Sequence, residues 1–122
     1  MQTALEVILN QLNEENGEVL QIVSKINRFG LDSIKPGTNT TNRQKLVEEL
    51  NDVMAMTEVL RDYLQDSGDG LPGLGDRAFI EKRIAKFLHF TKVSMDQGQV
   101  GPDAFFALDR VIGTSPSASN ED

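Results

Sequence analysis

Glu15 and Glu18, then Glu49 and Asp52, are the residues whose type and spacing could do chemistry in this chain. The members of each pair are three positions apart, close to one helical turn, so both carboxylates of a pair can point the same way. Both pairs also interrupt an apolar stripe. Leu46, Glu49, Val53, Met56 and Leu60 follow one another in steps of three and four, which puts Glu49 where a core residue belongs. Glu15 falls between Leu12 and Val19 in the same manner. An unpaired carboxylate is costly to bury, so something must neutralise these acids. Two like charges about 4 Å apart repel by about 1 kcal/mol in water and by about 4 kcal/mol at an effective dielectric of roughly 20. A cation would hold four of them ionised. Ligation by oxygen alone favours Mg²⁺ or Mn²⁺ over zinc. Mg²⁺ usually keeps waters and takes further oxygens from substrate phosphates, which points to metal-assisted attack of water on a polyphosphate.

A lone E-x-x-D is ordinarily a solvated helix face. The second acidic pair upstream weighs against that, because helical bundles hold hard divalent cations by aiming acids inward from two helices. The basic residues read either way. Lys25 and Arg28 close the first helix, where cations complement the helix dipole or meet phosphate. Lys82 and Lys86, one turn apart, suit phosphate oxygens or an ordinary solvent face. His89 is the only histidine and cysteine is absent, so a zinc site would lack a second nitrogen or a thiolate ligand. The glycine-rich run Gly68 to Gly75 lacks the G-K-[ST] of a phosphate-binding P-loop and follows no strand.

The elements that must position the acids are helices. A capping box at Thr3 and Glu6 opens the first, which carries Leu5, Ile8, Leu12, Val19, Ile22 and Ile26 and stops at Gly30. Residues Leu31 to Thr41, with the Pro36-Gly37 turn signal, form a loop, a lid over the acids or a plain linker. A second capping box at Thr41 and Gln44 opens a helix that ends near Ser67. Asp76 caps a third, to about Gln97, with Phe79, Ile80, Ile84, Phe87, Leu88, Thr91 and Met95 expected inward. A short fourth begins at Pro102 and is expected to bury Phe105, Phe106, Leu108, Val111 and Ile112. The fold class is therefore all-α: an antiparallel bundle of three long helices and a short C-terminal one. Residues 1–113 make a single domain, and the polar tail 114–122 is expected to be disordered.

Composition narrows the function classes. A net charge of −7 over 122 residues argues against nucleic acid or an anionic membrane as a partner. The apolar runs are too short to span a bilayer, and no signal peptide is visible. The absence of cysteine agrees with a reducing cytoplasm. The second helix is apolar around more than half its circumference, which predicts a homo-oligomer.

The string Glu14-Glu15-Asn16-Gly17-Glu18, followed by Glu48-Glu49-Leu50-Asn51-Asp52, resembles the E-x-x-E … E-x-x-D signature of the MazG-like, all-α nucleoside triphosphate pyrophosphohydrolases. The stretches Arg28 to Asp32, Pro36-Gly37 and Thr41 to Arg43 are similar to small phage and bacterial members, and the likeness spans about Leu12 to Leu64. The resemblance implies Mg²⁺ held by Glu15, Glu18, Glu49 and Asp52, and a nucleoside triphosphate cleaved to monophosphate and pyrophosphate. It implies Glu18 positioning the water and Lys45 on phosphate, with Lys82 and Lys86 matching a basic pair on the next helix. It further implies a homodimer or homotetramer in a bacterial or phage-infected cytoplasm. The gap between Glu18 and Glu49 is long for the family, and the aromatic residue that stacks on the base has no clear counterpart here. Two other readings stay open: a catalytically silent helical interaction protein, and a pyrophosphohydrolase of the phosphoribosyl-ATP type.

Overall fold

The structure is a computed structural model that describes residues 1–113; the expected disordered tail lies outside the described residues. Four α-helices run in order: α1 Ala4–Phe29, α2 Asn42–Ser67, α3 Arg77–Asp96 and α4 Pro102–Leu108, the last continued by a π-helical turn over Asp109–Gly113. Among the described residues the extended pairing amounts to one isolated antiparallel bridge, Ile34 with Thr41. The chain is all-α, as its periodicity predicts. Packing groups the described residues into two compact units, Met1–Pro72 and a second that begins at Gly73.

In the first unit α1 and α2 pack as a helical hairpin. Both start on complete capping boxes. The Thr3 N–H donates to Glu6 Oε1 at 2.8 Å, and the Glu6 N–H returns to Thr3 Oγ1 at 3.1 Å. Thr41 and Gln44 repeat the exchange at 2.8 and 3.1 Å. Two of the donors each helix start would otherwise leave exposed are thereby satisfied. α1 stops where Gly30 takes φ 93°, a left-handed backbone that favours glycine, and donates its N–H to Ile26 O at 2.7 Å. The predicted α1 stripe from Leu5 to Ile26 is buried or half-buried at every position. On α2 the same holds for Leu46, Glu49, Val53, Met56 and Leu60.

The connection between α1 and α2 is better tied than a plain linker. The Lys35 N–H donates to Thr40 O at 3.1 Å, Asn42 N–H to Ser33 O at 2.9 Å, and Arg43 N–H to Leu31 O at 2.7 Å. Gly37, at φ 81°, turns the chain between the paired arms. Arg43 grips Asp32 through Nε–Oδ1 at 2.9 Å and Nη2–Oδ2 at 3.2 Å. Buried Asn42 donates Nδ2–H to the Gly30 carbonyl at 3.0 Å, joining the end of α1 to the start of α2.

In the second unit Asp76 Oδ1 caps α3 by accepting from the Ala78 and Phe79 N–H groups at 2.9 and 3.3 Å. Here the expected core is only partly inside. Ile84, Leu88, Thr91 and Met95 are half-buried, but Phe79, Ile80 and Phe87 are exposed. Phe105 is buried, whereas Phe106 at 59%, Val111 at 68% and Ile112 are exposed. For Val111 and Ile112 the cause is local: α4 closes after seven residues and the π-helical turn from Asp109 changes the angular step, so the 3.6-residue register carries no further.

Candidate metal centre and adjoining cavity

Packing of α1 on α2 brings Glu15, Glu49 and Asp52 together, with one carboxylate oxygen from each within 4.8 Å of the others. Glu49 occupies the inner row of α2 and is 4% exposed, the most deeply placed charged residue among those described. Glu15 and Asp52 are half-buried on either side. Glu15 Oε2 accepts from Gln11 Nε2 at 2.7 Å, one turn back on α1. Asp52 follows Glu49 by three residues, so α2 presents both acids to α1 from one face.

Lys45 is the cation at this cluster. One turn before Glu49, its Nζ lies 3.1 Å from Glu49 Oε2 and 2.6 Å from Glu48 Oε2. Hydrogen bonds to Glu48 and then Glu49 hold its ammonium group protonated well above the usual lysine range. It therefore acts here as a fixed positive charge. Of the three clustered carboxylates, this ammonium pairs with Glu49 alone. With its surplus of negative charge and all-oxygen donor set, the trio could hold a metal ion.

The other predicted residues fall elsewhere. Glu18, one turn along α1, is exposed and stands outside the trio. Arg28 places its guanidinium over the Phe29 ring, 5.2 Å from the centroid. Lys82 and Lys86 lie exposed on α3, in the second unit.

Beside the acids, under the α1–α2 connection, lies a cavity of about 330 Å³. Its polar lining includes Lys25, Lys35, Lys45 and Glu48, and its apolar walls include Ile22, Phe29 and Ile34. Sequence reasoning left Lys35 without a role. Its place in the connection carries no periodic signal, whereas Ile22, Lys25 and Phe29 continue the face of α1 that carries Glu15, in steps of three and four. No helix of the described residues is long and apolar enough to cross a membrane. Comparison with protein-family models, with curated proteins and with solved structures finds no match to this chain.

Proposed function

We propose that this chain is a Mg²⁺-dependent nucleoside triphosphate pyrophosphohydrolase, with Mn²⁺ as an alternative metal, acting in the cytoplasm as a homodimer or homotetramer. Its substrate is a deoxynucleoside or modified nucleoside triphosphate, and its products are the nucleoside monophosphate and pyrophosphate. One observation carries the reading: Glu49 is buried in a helix–helix seam beside two more carboxylates. Lys45 pairs with Glu49, but one ammonium does not offset three carboxylates, and the remaining negative charge favours a bound cation.

Glu15, Glu49 and Asp52 hold the metal in this reading, and Glu18 at the exposed margin orients the attacking water by accepting its hydrogen bond. When bound, the metal supplies charge neutralisation at the phosphates and lowers the pKa of water. A bond forms from the water oxygen to the α-phosphorus as the bond to the α,β-bridging oxygen breaks; the water's proton passes by way of Glu18 to solvent, and the electron pair leaves on pyrophosphate. Lys45, permanently charged and free to exchange its carboxylate partners for phosphate oxygens, offsets that charge. Lys82, Lys86 and Arg28 remain candidates for further substrate contacts.

The test is pyrophosphate release from canonical, deoxy and modified triphosphates with Mg²⁺, run beside Glu49→Gln. The variant is expected to lose about a hundredfold or more in rate, the scale of removing one electrostatic stabiliser of a transition state. It should also lose the thermal stabilisation that Mg²⁺ gives the native chain, about 2.7 kcal/mol at a hundredfold excess over Kd. Near-native turnover in this variant would refute the ligand assignment.

A further inference from the structure

We propose that the cavity under the α1–α2 connection is a polyphosphate-anion site, built around Lys25 and Lys35, that seats the two phosphates leaving as pyrophosphate. The assignment to the leaving group rests on the function proposed above; the anion site does not. Three lysines line this cavity against the single carboxylate of Glu48, in a chain whose net charge is −7. Lys45 is engaged by Glu48 and Glu49, while Lys25 and Lys35 make no ion pair among the described residues. Two lysines without an ion pair that line one cavity of an acidic protein favour an anion there.

The surroundings define which anion. The lining sets these ammonium groups beside the apolar side chains of Ile22, Phe29 and Ile34. The first-turn N–H groups of α2 are already used: Asn42 donates to Ser33 O, Arg43 to Leu31 O and Gln44 to Thr41 Oγ1. The bound group must therefore be drawn by ammonium charge, which suits an anion with several oxygens better than a neutral base seeking directional backbone partners. Lys45 belongs to both places, lining the cavity while its Nζ lies 3.1 Å from Glu49.

The probe is inorganic pyrophosphate, titrated calorimetrically into the full chain in EDTA, where no metal lets the carboxylates attract phosphate. Native protein is expected to bind it with strong salt dependence. Lys25→Ala and Lys35→Ala should each weaken binding about tenfold, the scale of one charge-assisted hydrogen bond. Both side chains are exposed, so unchanged circular dichroism and melting will separate lost binding from lost folding. Glu49→Gln should bind pyrophosphate at least as tightly as the native chain. Absence of binding, or equal affinity in the native chain and both lysine variants, overturns the anion site. Lysine-dependent binding without Mg²⁺-dependent hydrolysis of any triphosphate overturns the leaving-group assignment and the proposed function but keeps the anion site.

Discussion

At the scale of single residues, Lys45 ties the acids to the cavity. Its ammonium is held protonated by Glu48 and Glu49, so its folded-state pKa lies above the unfolded value of about 10.4. The stabilisation from that pairing is fully present below the unfolded pKa and is lost only as pH rises through the higher folded value. Between about pH 7 and pH 10 the residue should therefore stay charged, and a fall in activity over that range belongs to another group. Lys45→Gln is expected to lower kcat/KM about ten- to a hundredfold while leaving the shape of the pH–rate profile unchanged. Because the native lysine competes for Glu49, the same variant should bind Mg²⁺ as tightly as the native chain or more so. Weaker Mg²⁺ binding with an unchanged KM would show that the lysine organises the acids and does not touch phosphate. The buried position of Glu49 was legible from its place in the Leu46–Leu60 row. Glu18 was not, because motif spacing sets the face of a helix but not how far the neighbouring helix covers it.

At the scale of elements, the two capping boxes and the glycine stop mark the α1–α2 hairpin in the sequence almost to the residue, since caps are local chemistry. The connection is another matter. Its order comes from backbone pairing of Ser33 with Asn42 and of Leu31 with Arg43, which leaves no side-chain pattern to read. Asn42 is the buried side-chain link, and it is the residue to remove. Asn42→Ala should leave the Gly30 carbonyl without its donor and cost about 1–3 kcal/mol in denaturant unfolding. Hydrogen exchange should quicken at the Asn42 and Arg43 amides while the α1 interior keeps its protection. Unchanged exchange at those two amides would mean that the Arg43–Asp32 pair and the backbone bonds hold the connection unaided. That ion pair has its own limit. Arg43 keeps the Asp32 carboxyl below its ordinary range, so its contribution is present above the unfolded pKa and lost as pH falls through the lowered one.

At the scale of the whole molecule, the shortage of core is the fact that calls for explanation. Ile8, Ile22 and Phe105 are the buried apolar residues among those described, and no side chain is wholly enclosed. Val47, Leu50 and Met54 form a second apolar row on α2, in steps of three and four, and all three are exposed. Apolar transfer is worth about 25 cal/mol per Å², so a row of this kind left in water forgoes several kcal/mol that a second chain could recover. In the homo-oligomer proposed above, this row is the surface a second chain would cover, since obligate interfaces resemble a domain core cut in half. Light scattering on a sizing column should therefore give at least twice the 13.5 kDa of one chain. Leu50→Glu places a charge in that row without touching the inner one that carries Glu49. It should dissociate the assembly and lower the melting temperature in a concentration-dependent way. If the neighbour completes the nucleotide pocket, turnover falls with the oligomer and returns as protein concentration is raised. A native chain that elutes as a stable monomer at all concentrations would leave the apolar row without a partner and remove the assembly from the mechanism.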